Sequence, residues 1–464
     1  MMSSGGVQVA SLPADDPQPT SRAFGFWICL ALVIGNMIGS GVFLLPAALA
    51  PYGWNAIFGW MVTIAGALCL AFVFASFARR FPKAGGPYAY TREAFGTAPG
   101  FAVAWSYWIS VWTANATMAI AAVSYMSHFL PQLAGSAGLL AIGCVWTFTL
   151  VNCLSLKGAG GVQLLTTGLK LLPLIAAIVL TALVAGGDGG ASAAPFRSED
   201  ISLAAITATA SLTLWAMVGF ESATIPAGHV RDPARNIPRA TMIGTLIAGL
   251  VYLVACSGVA LLLPAEQATA SNAPFADFIG RYWGPGPASL LAIFATISAL
   301  GALNGWVLVQ GELPVALARD GVFPAWMGKL SRAGTPVRAH LLSSTLVTLL
   351  LLANTSRSMG DLFVFMALVS TLASLVAYLT CALGALWLQR AGRLDRTAAL
   401  TAAAVLGALY AVWAIYGAGT EPIAWGAALL ASGLPVYLVT ARNRRRAPGV
   451  VGLSGDRGDD TKHD

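Results

Sequence analysis

Runs of about twenty apolar residues recur through this chain so often that few folds remain open to it. A helix of about 20 apolar residues spans the hydrocarbon core of a bilayer. We read twelve such runs, near 24–50, 55–78, 98–127, 135–155, 161–186, 203–228, 240–264, 286–318, 339–354, 361–389, 398–418 and 422–441. Only 10% of the 464 residues are charged and 57% are hydrophobic, whereas a soluble domain carries about 25% charged residues. No soluble core absorbs that much apolar surface, so the expected fold is an all-α membrane protein with twelve transmembrane helices. The first run is too long for a signal-peptide core and is expected to remain as a span. Residues 1–23, with "SLPADDPQPTS", read as a disordered cytoplasmic tail, and 442–464 as a basic and then disordered one.

A net charge of +7 would suggest an acidic partner in a soluble protein, but its distribution points to topology instead. Of the 26 Lys and Arg residues, 22 fall in the two tails and the even-numbered loops, and the odd loops hold only Arg197, Arg281 and Arg357. By the positive-inside rule both termini are cytoplasmic, in a multi-pass cell (inner) membrane protein. The lipid bilayer is then the expected partner, and nucleic acid is not. The remaining cation, Lys170, lies inside the fifth run. The six cysteines all fall in apolar runs without a CxxC pair, the four histidines are scattered, and no GxxxxGK[ST] loop occurs. Neither a metal, a cofactor, an ATP-driven step nor a catalytic cluster is indicated, so an enzyme is not expected.

Two of the runs are interrupted. The first carries "GNMIGSG" at 35–41, and the sixth carries Trp215, Gly219, Glu221 and Ser222, followed by Pro226-Ala227-Gly228. Glycine costs roughly 1 kcal/mol against alanine in a helix interior, and unpaired backbone groups in hydrocarbon cost several kcal/mol each. Unwound backbone is tolerated at membrane depth where it lines a cavity. Free N–H groups at a half-helix start favour a carboxylate, and freed carbonyls at a half-helix end favour an ammonium. Two such breaks facing each other make a site for the two ends of an amino acid, and paired broken spans point to a secondary transporter. The alternative reading of "GNMIGSG" is a small-residue seam for helix packing.

The segments "GNMIGSGVFLLPAALA" at 35–50, "PKAGGPYAYTREAFG" at 82–96, "LWAMVGFESAT" at 214–224 and "VRDPARNIPRAT" at 230–241 resemble the amino acid–polyamine–organocation superfamily. The likeness covers about residues 24–440 and is greatest for its arginine/agmatine antiporter branch. It implies a LeuT-like five-plus-five inverted repeat, with repeat one at 24–186, repeat two at 203–389, helices 11 and 12 at 398–441, and helices 1 and 6 discontinuous. The implied function is exchange of a cationic amino acid such as arginine for agmatine or another amine, by alternating access at one midplane site. A homodimer is implied as well.

The resemblance also implies roles for particular residues. Ser40 and Gly41 would hold the α-carboxylate, and carbonyls near Met37, Trp215 and Val218 the α-amine. Trp306 would offer its ring face to the guanidinium, a contact worth on the order of 2 kcal/mol when desolvated. Asn115, Ser370 and the carbonyls of Ser110 and Val111 would accept its hydrogen bonds, beside Met118. Tyr107, Phe363 and Tyr378 match gating positions, with Trp215 as an aromatic gate. Glu221 matches the branch's membrane carboxylate and is a candidate coupling acid. Lys170 departs from the branch, which has an apolar residue there. Other branches, proton-coupled symporters among them, carry a lysine whose ammonium stands where sodium sits in sodium-driven relatives. Lys170 therefore keeps open a proton-coupled amino acid symporter, and equally a fixed charge tying the fifth span to its neighbours.

Overall fold

The computed structural model describes residues 24–82, 85–154, 170–187, 195–225, 227 and 230–446. The N-terminal tail, the C-terminal tail from residue 447, the first half of the fifth apolar run, Pro226 and Gly228 lie outside the described residues. Among the described residues every element is helical, apart from an isolated bridge between Phe24 and Val230. In chain order the α-helices are α1 (Phe26–Met37), α2 (Leu45–Leu49), α3 (Asn55–Arg80), α4 (Gly86–Phe95), α5 (Thr97–Met126) and α6 (Ala137–Leu154). They continue with α7 (Leu171–Gly186), α8 (Leu203–Met217), α9 (Pro233–Leu262), α10 (Ala265–Ala270), α11 (Pro274–Trp283) and α12 (Pro285–Arg319). The last five are α13 (Val337–Leu352), α14 (Met359–Arg390), α15 (Ala398–Gly417), α16 (Thr420–Ala431) and α17 (Gly433–Arg446).

Among the described residues, eight helical stretches are long and apolar enough to cross a membrane, and nine when α1 and the segment Val42–Tyr52 count as one span bent by 47°. Helices α7 and α13 are shorter apolar helices. Helix α5 is absent from these stretches although it runs for 30 residues and is buried almost throughout. Its serines, threonines, two tyrosines and asparagine lower its hydropathy because it faces protein on all sides rather than lipid. It packs against α14, α12, α6, α4 and α13, and α3 packs against α8 and α9. Away from this centre, large apolar side chains such as Leu183, Leu250, Leu409 and Leu434 stay exposed, as a lipid solvent favours.

Three short helices interrupt the connections. Helix α4 begins at Gly86-Pro87 and α11 at Pro274, positions where proline's missing N–H costs nothing, and α10 precedes α11. The run at 422–441 is two helices rather than one, parting at Ser432. Pro435 has no N–H to continue the helix. A Cβ on Gly433 would also stand 2.6 Å from the Trp105 ring, so the close seat of α17 on α5 depends on this glycine. Helix α17 continues to Arg446, into the stretch read as the start of the basic tail.

Candidate substrate site

Both expected breaks are present. Helix α1 ends with Ile38 N–H donating to Ile34 O at 2.8 Å and Gly39 N–H to Met37 O at 2.7 Å. The backbone then runs extended through Gly39 and re-coils as a 3-10 turn, Ser40–Leu44. Helix α8 ends at Met217, passes through extended Val218 and left-handed Gly219 (φ 110°), and re-coils as a second 3-10 turn, Phe220–Thr224. A Cβ at Gly219 would lie 3.4 Å from the Asn36 carbonyl, so this glycine supplies both the positive φ and the close approach of the two breaks. Gly86 (φ 50°) plays a similar part below. A Cβ there would stand 2.9 Å from Thr224 Oγ1, and Gly85 N–H donates to Ile225 O at 3.4 Å. The two glycines of "PKAGGPYAY" thus dock α4 onto the far end of the second break.

Where the breaks meet, they enclose a chamber of about 30 Å³, room for little more than a water or two. Asn36, Met37, Gly39 and Val42 line it from the first break, and Trp215, Ala216 and Val218 from the second. Tyr107, Ser110, Ala114 and Met118 of α5, Trp306 of α12, and Ser370 and Ser374 of α14 complete the wall. The structure therefore brings together Met37, Tyr107, Ser110, Met118, Trp215, Val218, Trp306 and Ser370 from the expected set. Ser40 and Gly41 follow Gly39 directly, in the first 3-10 turn. Val111 and Asn115 are buried but do not line the chamber. Among the described residues, no carboxylate lines it.

Several of its polar groups are already committed. Ser370 Oγ donates to Ser110 O at 2.8 Å, and Thr113 Oγ1, which donates to Ile109 O at 2.7 Å, stands 3.1 Å from the same carbonyl. Ser110 Oγ donates to Tyr107 O at 2.7 Å. Met37 O accepts from Tyr252 Oη at 2.7 Å as well as from Gly39 N–H. These bonds tie α5 to α14 and α1 to α9 in a contracted site. An amino acid could occupy it only if the walls part and some of these acceptors are released.

Glu221 is fully buried just beyond the chamber. Tyr107 Oη donates to its Oε1 at 3.1 Å and Tyr378 Oη to its Oε2 at 2.7 Å, while Gly219 N–H donates to Tyr378 Oη at 3.3 Å. Tyr107 belongs to both the chamber wall and this clamp. Lys170, 3% exposed, stands at the start of α7 and donates from Nζ to the carbonyl of Gly35. That carbonyl is in the last turn of α1, where the helix dipole favours a cation. Glu221 and Lys170 therefore serve different elements and form no ion pair with each other.

The chamber has unlike surroundings on its two sides. On one lies a larger cavity of about 480 Å³, lined in part by Leu44, Leu212 and Phe363, with polar groups from Ser271, Asn272 and Asp361. The same elements reach both spaces: Val42 and Leu44, Leu212 and Trp215, Phe363 and Ser370 lie within one or two turns of each other. On the other side Phe74, Tyr90, Phe220 and Tyr378 pack edge to face or tilted, with Phe220 and Tyr378 centroids 4.7 Å apart, and Phe77 stacks on Tyr90 at 4.8 Å. Phe363 is thus a wall of the larger cavity, and Tyr378 part of the aromatic packing opposite.

Asn36, Gly39, Val42, Ala114, Ala216 and Ser374 line the chamber without having been singled out in the sequence. Asn36 and Gly39 stood inside the quoted heptad, whereas an alanine or valine in an apolar span carries no chemical signal. Gln310 was missed as well: it is fully buried one turn beyond Trp306 and accepts from Asn115 Nδ2 at 2.7 Å.

Interrupted apolar helices enclosing a small chamber, in a bundle with a lipid-compatible surface, define a membrane transport protein. Comparison with known proteins specifies which kind. The amino acid permease family matches residues 24–439. The chain is 37% identical over 369 residues, 77% of its length and 82% of the relative's, to the cadaverine/lysine antiporter of Escherichia coli. It is 30% identical over 402 residues to a putative arginine/ornithine antiporter of Bacillus subtilis, covering 78% and 84% of the two chains. It is 27% identical over 435 residues to the putrescine transporter PotE of Escherichia coli, covering 92% and 98%. The chain belongs to the amino acid permease family, within the amino acid–polyamine–organocation superfamily; its family and these relatives are transporters, not enzymes.

Proposed function

We propose that this protein exchanges a basic amino acid for its decarboxylated amine, by alternating access at the chamber between the two breaks. The observation that carries this reading is the chamber itself: two broken helices abut there, Trp306 presents an aromatic wall, and no carboxylate of the described residues lines it. A cation held by ring faces and neutral oxygens is released more readily than one paired with an acid, which suits an exchanger. The relatives support lysine and cadaverine as the pair to test first, ahead of arginine and agmatine. The α-carboxylate is assigned to the backbone of Ser40 and Gly41 and the α-amine to carbonyls at Met37, Trp215 and Val218, with Asn115 as an acceptor for the side-chain cation.

The nine apolar stretches, together with α5, α7 with the residues before it, and α13, make up the twelve proposed spans. The five-plus-five repeat would relate the broken spans built on α1 and α8. The arginine-rich helix ends would face the cytoplasm with both termini, in the inner membrane, and the larger cavity would open to the opposite side. Pairing as a homodimer belongs to the same proposal.

The test is uptake of labelled lysine into liposomes holding the purified protein and loaded with lysine, cadaverine, arginine, agmatine, alanine or buffer. Uptake only against a cationic internal solute supports the exchanger. A second reading, a proton-coupled symporter, is favoured by Lys170 at the first break, and uptake into buffer-loaded vesicles driven by a pH gradient would replace exchange with it. No basic amino acid uptake under any loading would refute the cationic site.

A further inference from the structure

Asn115 and Gln310, on α5 and α12, are buried at 0% exposure, and their amides meet. Asn115 Nδ2 donates to Gln310 Oε1 at 2.7 Å, and Gln310 Nε2 donates in turn to Ser344 Oγ at 2.8 Å. Ser344 Oγ is also hydrogen-bonded to Thr149 Oγ1 at 2.6 Å, so its own proton has an acceptor while it receives from Gln310. The chain of amides and hydroxyls therefore runs in one direction, from Asn115 outward through α12 and α13 to α6. Its result is that one N–H of the Asn115 amide is engaged and the amide's orientation fixed, whereas Asn115 Oδ1, equally buried, has no partner among the described residues. A buried amide oxygen without a donor is costly, so its retention calls for a function.

The position supplies one. Ala114 and Met118, adjacent to Asn115 and one turn beyond it on α5, line the chamber, and Trp306 lies one turn before Gln310 on α12. An asparagine free to rotate would present N–H as readily as C=O, and N–H groups repel an ammonium. We propose that Gln310 is a specificity-determining positioning residue: by accepting from the Asn115 amide nitrogen it fixes that amide's orientation and holds the Asn115 oxygen as an acceptor for the terminal ammonium or guanidinium of a cationic substrate. Ser344 and Thr149 hold Gln310 from behind. This rests on the chamber being a cation site, as argued above. It adds a residue that never touches substrate yet sets which charge the site accepts.

The test compares lysine with norleucine, which has the same carbon chain without the terminal nitrogen, using full-length protein in lysine-loaded liposomes. Gln310→Met keeps the volume and removes the hydrogen bonds. It is expected to raise the KM for lysine about tenfold, the scale of a hydrogen bond to a charged group, while kcat stays within about twofold and inhibition by norleucine is unchanged. Asn115→Ala should raise the lysine KM at least as much. Adding Gln310→Met to Asn115→Ala should then change nothing further, because a residue acting through Asn115 is non-additive with it. Ser344→Ala, which releases Gln310 from behind without disturbing the pair's packing, should move lysine in the same direction by a few-fold and serves if Gln310→Met folds poorly. An unchanged lysine KM in both Gln310→Met and Ser344→Ala, a full extra loss in the Asn115→Ala background, or equal losses for lysine and norleucine would each overturn the proposal. Failure of the cation reading itself shows separately, as a wild-type protein that does not prefer lysine to norleucine.

Discussion

The two sides of the chamber are closed in different ways. Toward the larger cavity, the barrier is a few side chains deep: Trp215 lines the chamber, Phe363 lines the cavity beyond, and about 480 Å³ of space lies behind them. Toward the other side lie a carboxylate clamped by two tyrosine hydroxyls, a backbone N–H on one of those hydroxyls, and a buried set of edge-to-face aromatic rings. Hydrogen bonds within low-dielectric surroundings are costly to break one at a time. The clamped side should therefore open as a unit, while the side toward the larger cavity opens by the motion of single side chains. In a carrier of this kind re-closing the clamped side, which must re-form all of these bonds before the other side can open, would set the rate.

The largest effect should follow from breaking the clamp. Glu221→Leu leaves the Tyr107 and Tyr378 hydroxyls buried without an acceptor, each at roughly 1–3 kcal/mol. Exchange should fall on the order of a hundredfold in the liposome assay. Lysine binding to the purified protein, read by calorimetry, should move less than about threefold, because Glu221 does not line the chamber. A parallel loss of binding would make Glu221 part of the substrate site and erase the distinction between clamp and chamber.

Two changes should each cost about tenfold and sharpen the contrast from either direction. Tyr378→Phe keeps the ring packing but removes one donor to Glu221 and the acceptor of Gly219 N–H, so exchange slows by the worth of one buried hydrogen bond with lysine affinity kept. Trp306→Leu should do the reverse. It loses a cation–π contact of roughly 1–2 kcal/mol, so the lysine KM rises while norleucine is spared and the maximal rate stays near that of the native protein. Equal changes in rate and affinity for both variants would mean that the two regions are not separable.

How much of this was legible in the sequence differs by the kind of signal. Long spans follow from per-residue hydropathy: the run near 286–318 is helix Pro285–Arg319 and that near 98–127 is helix Thr97–Met126. The breaks were legible because Gly35, Asn36, Gly39 and Gly219 are poor helix formers in a place that punishes unpaired backbone. Helices α4, α10 and α11 were not, since a short loop helix has neither the length nor the uniform hydropathy of a span. The pairing of Asn115 with Gln310, 195 residues apart, and of Ser370 with the Ser110 carbonyl, 260 apart, was out of reach for the same physical reason. A polar residue in an apolar helix announces that it has a partner, but not which one. For Ser110 this changes the picture of the site, because its carbonyl already accepts from Ser370 within the protein.

The smallest effect is expected on the side of the larger cavity, and it is the finest test of the comparison. Phe→Ala in a filled core costs roughly 3–5 kcal/mol, but Phe363 already borders open space, so fewer contacts are lost and no new sealed void is formed. Phe363→Ala should leave exchange within about threefold of the native protein. Its effect should show instead as access. With Ser374→Cys placed in the chamber wall, a water-soluble thiol reagent should label the protein several-fold faster when Phe363 is alanine. The parent with its own six cysteines, of which Cys29, Cys256 and Cys381 are buried, gives the background. Faster labelling with exchange preserved means that Phe363 is part of a thin barrier whose opening is not limiting. A loss of exchange as deep as that of Glu221→Leu would mean that both sides are closed with equal strength, and the limiting step would then have to be sought in the movement of the broken helices themselves.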